Sequence, residues 1–259
     1  MTRIFDFTRA MVRTPGPSAV KGLRAGGGPD PDFAGLLSEH AGYVAALEAA
    51  GIAVTVLDPL ATFPDALFVE DPALVFREGM AVLLNPGVPS RAGEVAELAP
   101  ALAEHFEQIE TLAEGHADGG DVLVMPGRAF IGLSARTDRA GAKELARILE
   151  LFGLATTIVT PPPGVLHLKT ACSLIDAETV LATGAIARSG LFADYCVIEV
   201  PADEEGGANV LRLADRVLMG SGYPRIADLI AGHGAEPVPL ETGAIAMIDA
   251  GLTCMSLRW

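Results

Sequence analysis

Cysteine is scarce: three residues, at 172, 196 and 254, with no Cys-x-x-Cys spacing among them. An odd set of this kind excludes a disulfide scaffold and a thiolate zinc knuckle. Positive charge is also short, with 18 Lys and Arg against 33 Asp and Glu and a net charge of −15. Phosphate contacts need clustered cations, so neither nucleic acid nor an anionic membrane is an expected partner. The N-terminal stretch MTRIFDFTRAMVR has no apolar signal core, and no segment approaches the length of a membrane span. A soluble, cytoplasmic chain is expected. No GxGxxG or Walker-type loop follows any strand-like run, which argues against a doubly wound nucleotide-binding sheet.

What the chain does have is a repeat. Five strand-to-loop starts recur at Arg9–Pro15, Ala81–Arg91, Ala129–Arg139, Thr179–Arg188 and Arg216–Arg225. Each leads towards a helix and a second strand. The clearest helices have Leu37, Val44 and Leu47 on one face before Gly51; Leu145, Ile148, Leu149 and Phe152 before Gly153; and Ile226, Leu229 and Ile230 before Gly234. A helix over about 91–106 contains Pro100, which is expected to kink or split it, and the fourth unit reads as a short helix in SGLFADYC. Gly26–Asp32 reads as a flexible loop suited to a lid. Half the residues are hydrophobic, enough for one closed array over residues 1–259. The expected fold class is α/β, a five-bladed propeller of ββαβ units around a central channel.

The segments between units carry chemistry: Glu70 and Asp71 in LFVEDPALVF, Asp118 in HADGGDVLVM, His167 in HLKTACSLID and Cys254 in GLTCMSLRW. Taken singly, each has a structural explanation. A free cysteine is usually a small buried hydrophobe, an isolated histidine is usually structural, and Asp-Gly-Gly-Asp suits a turn. Equivalent places in successive modules converge near the pseudo-symmetry axis, and Cys, His and carboxylate together suit covalent catalysis. Zinc is the rival for the same groups, with His116, Asp118, His167 and Cys254 as donors, although they lack short ligand spacing.

The segments PDALFVED (Pro64–Asp71), DGGDVL (Asp118–Leu123), GLSART (Gly132–Thr137), HLK (His167–Lys169) and DAGLTCMSL (Asp249–Leu257) resemble the dimethylarginine dimethylaminohydrolase family. That family belongs to the pentein, or guanidine-modifying, superfamily, which also holds arginine deiminases and amidinotransferases. The resemblance implies the five-bladed fold, a substituted-arginine substrate, and no metal or organic cofactor; a homodimer is compatible with it. It implies Cys254 as nucleophile, His167 as general acid and base, and Asp118 as its carboxylate partner. Asp65, Glu70 and Asp249 correspond to acids that hold the guanidinium and amino groups of the substrate, Asp71, also on the substrate side, to the second acid of the family's VED motif, and Arg91 and Arg136 to arginines for the substrate carboxylate. Leu23, in the early loop, corresponds to a lid residue, and Ile248 to a neighbouring substrate contact. One stretch departs: where the family reads Ser-Glu, two residues, Lys, one residue, Asp-Gly, this chain has Gly243–Ala250 as GAIAMIDA. The resemblance leaves room for an arginine deiminase or amidinotransferase, and for a non-catalytic propeller like the ribosome anti-association factors.

Overall fold

In the computed structural model, which describes residues 5–76 and 79–259, the five repeats become five separate three-stranded sheets. Residues 1–4 of the N-terminal stretch read above lie outside the described residues. In chain order the elements are β1 (Arg9–Arg13), α1 (Phe33–Ala49) and β2 (Ala53–Leu57); then β3 (Ala73–Phe76), β4 (Met80–Leu83), α2 (Glu94–Ala103) and β5 (Gln108–Thr111). The third group is β6 (Val122–Met125), β7 (Arg128–Gly132), α3 (Arg139–Leu151) and β8 (Ala155–Val159). The fourth is β9 (Cys172–Leu174), β10 (Thr179–Ala182), α4 (Gly184–Ala187) and β11 (Cys196–Glu199). The fifth is β12 (Leu211–Leu213), β13 (Arg216–Gly220), α5 (Pro224–Gly232) and β14 (Glu236–Leu240), followed by α6 (Gly243–Ala246) and β15 (Leu257–Arg258).

Every sheet has one plan. The middle strand pairs antiparallel with an inner strand and parallel with an outer one, the helix making the crossover between the parallel pair. The last strand completes the first sheet, since β15 pairs antiparallel with β1 and so closes the ring. The arrangement is a five-bladed α/β-propeller. The five inner strands β3, β6, β9, β12 and β15 line an axial cavity of about 350 Å³. Parallel pairing explains how β14 tolerates Pro237 and Pro239: it is an outer strand with one paired edge.

Helix starts are set by caps where the sequence supplies them. Asp32 accepts from the Gly35 amide at 2.9 Å and Asp138 from the Gly141 amide at 2.8 Å. Gly153, with φ +81°, takes the left-handed turn that ends α3 and feeds β8. Three expectations need correction. The buried face of α1 is Leu36, His40, Tyr43 and Leu47, and Leu37 is 36 % exposed. The fourth helix lies at Gly184–Ala187, ahead of SGLFADYC, whose first six residues form turns and whose Cys196 opens β11. Pro100 sits inside an intact α2, on its exposed side. Among the described residues no helix is long and apolar enough to cross a membrane.

Candidate active site

The chain segments entering the inner strands bring the chemistry together. His167 immediately precedes a short turn before β9, and its Nε2 lies 3.1 Å from Asp118 Oδ2. Asp118 is fully buried and its other oxygen accepts from the Gly87 amide at 3.0 Å. The Asp-Gly-Gly-Asp segment is a short turn leading into β6, and Gly120 is there for space: a Cβ would stand 2.8 Å from His167 Nδ1 and 2.9 Å from Asp71 Oδ1. Asp121 accepts from Ser134 Oγ, Thr137 Oγ1 and the Leu168 amide, which fixes the approach to His167. Burial alone would lower the imidazole pKa. The charges of Asp71, Asp118 and Asp121 and the Asp118 hydrogen bond overcome it and raise it to about 9.

Cys254 lies in the turn before β15 and is buried, with its carbonyl accepting from the Glu70 amide at 3.2 Å. Burial, then the charges of Glu70 and Asp71, push its thiol up to about 12; Lys169 pulls the other way. Glu70 is itself almost fully buried. Its Oε1 takes Lys169 Nζ at 2.7 Å and Arg258 Nη2 at 3.0 Å, and its Oε2 has no partner among the described residues. Asp71 is held by the Gly120 amide and by Arg91, whose charge, with that of His167, keeps its carboxyl low despite burial.

Asp65 is buried, which raises its pKa, and its Oδ1 accepts from the Leu23 amide at 2.8 Å. Asp249 adopts φ +54°, a left-handed conformation costing roughly 1–3 kcal/mol for a non-glycine residue, and accepts from the Ala25 amide. The early loop therefore rests on both acids. It is also internally laced, because Arg24 bonds Val20 O, Pro29 O and Asp30. Ile248 is buried beside Asp65 and Gly22. Arg136 is half-buried; its amide donates to Ser134 Oγ at 2.9 Å, its guanidinium has no hydrogen bond or ion pair among the described residues, and its charge reaches Asp65.

Arg91 departs from its expected role. It is buried, and its fork is committed to Glu94 at 2.9 Å and 3.1 Å, to Asp71, and to the Phe68 and Asp65 carbonyls. It braces the acidic wall from behind and has no open fork for a substrate carboxylate. Exchange for methionine would leave Asp71 and Glu94 buried without their cation. A loss of about 3–5 kcal/mol is expected in urea unfolding. The zinc donor set is not assembled either: His116 is exposed, whereas Asp71, Asp118 and His167 are the group whose donor atoms lie within 4.8 Å of one another. In that group Asp71 is paired with Arg91 and His167 carries a proton at neutral pH.

Residues 46–213 match the family model described as arginine deiminase. A curated relative from Pseudomonas aeruginosa, N(G),N(G)-dimethylarginine dimethylaminohydrolase, is 36% identical over 257 residues, covering 98% of this chain and 100% of its own. Another of the same name from Streptomyces coelicolor is 35% identical, with 96% of each chain covered. The solved structure of a cysteine-to-serine variant of the P. aeruginosa enzyme, complexed with citrulline, superposes with a TM-score of 0.95 at 35% identity, covering 98% and 100% of the two chains. The chain belongs to the dimethylarginine dimethylaminohydrolase family. The N-terminal domain of ArgZ, a cyanobacterial arginine dihydrolase, shares the fold with a TM-score of 0.87 at 15% identity.

In this dimethylarginine dimethylaminohydrolase family member, the stretch before Asp249 is held by a distant acid. Glu39, half-buried on α1, accepts from the Ala244 and Ile245 amides at 2.8 Å and 2.9 Å. A carboxylate from α1 thus holds the first turn of α6. Sequence reasoning also missed Asn209, the residue of the fifth unit that stands before β12 as His167 stands before β9. Its amide group bonds Lys169 O at 2.7 Å and Thr253 Oγ1 at 3.0 Å, and its oxygen accepts from the Thr253 amide at 3.1 Å. An asparagine carries no charge to flag it, yet it ties the histidine segment to the nucleophile segment.

Proposed function

We propose that this chain hydrolyses an Nω-substituted L-arginine to citrulline and an alkylamine through a thiouronium on Cys254. The observation that carries the reading is the buried, unpartnered Oε2 of Glu70 beside a thiol, within a wall of carboxylates. A buried carboxylate oxygen without a donor is costly, and a planar cation with several N–H groups satisfies it. Guanidinium is such a cation, and the named relatives are dimethylargininases.

The electrostatics support a substrate-assisted sequence. Burial, and after it the charges of Glu70 and Asp71, keep Cys254 a neutral thiol. A guanidinium among those carboxylates cancels their field, so the thiol releases its proton to solvent water and the thiolate sulfur attacks the central carbon. His167, protonated at neutral pH, gives its proton to the departing amine as the C–N bond breaks. The imidazole then takes a proton from water, whose oxygen bonds to the carbon as the C–S bond breaks, leaving the ureido product. No step calls for a Lewis acid.

Arg136 supports the choice of an amino acid over a bare guanidine, since its guanidinium is free to take a carboxylate. Arg136→Ala is expected to raise KM by the equivalent of about 2 kcal/mol with a smaller change in kcat. The test of the whole reading is a panel of methylated arginines, arginine and agmatine, assayed for ureido product with chelator present. Methylated arginine should turn over fastest, and chelation should not matter. Faster release of ammonia from arginine would favour a deiminase, the description carried by the matching family model. No ureido product from any member would overturn the reading.

A further inference from the structure

The final strand carries an arginine that the mechanism above does not use. Trp259 anchors β15: its carbonyl accepts from the Thr8 and Arg9 amides at 2.9 Å each, and its ring packs 5.0 Å from that of Phe106. Leu257 and Trp259 share the core of β3 and α2. Alternation along the strand sends Arg258 the other way. Its Nη1 bonds Thr253 O at 2.9 Å, Ser256 O at 2.6 Å and Ser256 Oγ at 2.8 Å, so it clamps the turn that contains Cys254. Its Nη2 bonds Glu70 Oε1 at 3.0 Å. Ser256 Oγ is in turn 2.6 Å from the hydroxyl of the buried Tyr43.

We propose that Arg258 is a positioning residue, holding the nucleophile turn and Glu70 in one guanidinium fork so that Glu70 sits beside Cys254 with a single open oxygen. The proposal rests on the reading of Cys254 as nucleophile and Glu70 as part of the substrate-gripping wall. Lys169 shares the same Glu70 oxygen but its ammonium bonds no carbonyl of the Cys254 turn among the described residues, so it supplies charge without the clamp. A lysine at 258 would likewise supply a point charge, where arginine's planar fork reaches carbonyls and carboxylate together. The charged groups facing Cys254 are Glu70, Asp71 and Lys169; Arg258 faces the Glu70 carboxylate and the neutral Tyr43 phenol, whose pKa burial raises. Arg258 therefore reaches the thiol through Glu70, whose uncompensated charge would hold the thiol protonated.

The test is a double-mutant cycle with Arg258→Met, Arg258→Lys, Glu70→Gln and Glu70→Gln/Arg258→Met, all in a Cys196→Ser background to remove the exposed thiol. Alkylation of Cys254 by iodoacetamide, resolved by peptide mass, reports the thiol without requiring any guanidine to be a substrate. At about pH 8 the rate follows the thiolate fraction. Arg258→Met should slow it about threefold, the equivalent of half a pKa unit. Arg258→Lys should restore the alkylation rate while kcat on methylated arginine stays about tenfold down, because charge returns and the clamp does not. In the Glu70→Gln background Arg258→Met should change alkylation less than about twofold. Equal effects in both backgrounds, or unchanged alkylation with only a lowered Tm, would overturn the proposal and leave Arg258 a structural strut. Should Arg258→Met fail to fold, the lysine variant decides alone: a kcat equal to wild type overturns the clamp. A cycle that behaves as expected in a protein inert towards every guanidine would instead sink the proposed hydrolysis and leave the Arg258–Glu70–Cys254 linkage standing.

Discussion

Exchange of Cys254 for alanine is expected to lower hydrolysis of the substituted arginine by at least about 10⁴-fold, because no other group can form the covalent intermediate. The fold should survive. The side chain is buried, but only a sulfur atom is lost, worth about 1 kcal/mol of burial, and no hydrogen bond of the sulfur is broken among those described. Serine at 254 should be equally inactive, since a hydroxyl in this acidic surround is far harder to ionise than a thiol. Cys172 and Cys196 serve as controls. Cys172 is fully buried and donates to Leu168 O at 3.3 Å, while Cys196 is exposed on β11, so alanine at either should leave turnover close to wild type. Melting curves and ureido-product assays on the four proteins check both halves. Near-normal turnover by Cys254→Ala would remove the covalent mechanism.

Asp118→Asn is expected to cost on the order of 10³-fold in kcat. The asparagine oxygen can still accept from the Gly87 amide, which turns its NH₂ group towards His167 Nε2. A protonated imidazole would then meet donor with donor, so the mutant favours the neutral ring and loses the general acid. The pH dependence follows with a definite sign. His167 has its pKa raised from 6.5 to about 9, so its protonated form contributes stability fully below 6.5, and that contribution is lost as pH rises through about 9. Wild-type activity should fall on the alkaline side as the imidazole deprotonates, and the same limb should move to lower pH in Asp118→Asn. Profiles of kcat/KM, with Tm measured over the same range, test this. An unmoved alkaline limb would assign it to another group.

The repeat, the ring and the positions of the chemistry were legible in the sequence because they depend on local order. Apolar runs, stop glycines and acids at the entries to successive units are all visible along the chain, and the middle strands begin near the five recurring starts. What the sequence concealed was pairing. Arg91 reads like any arginine near a site, and only the fold turns Glu94, Asp71 and two carbonyls onto it. Glu39 lies on α1 some 205 residues before the amide it caps, and Asn209 is uncharged. The face of α1 was misread by one residue because His40, a polar side chain, belongs to its buried side. Its pKa is lowered by that burial to about 4, so it stays neutral in the core at neutral pH.

The most direct measurement is intact-mass and peptide analysis of the wild-type protein, quenched in acid during turnover of an Nω-methylated arginine. Acid protonates His167 and removes the base that activates water, so the intermediate formed before the quench should persist. The account predicts an added mass equal to the substrate less its methylamine, carried on the peptide containing Cys254 and absent from Cys254→Ser. Full burst amplitude of released amine with no adduct, or an adduct on another residue, would contradict it.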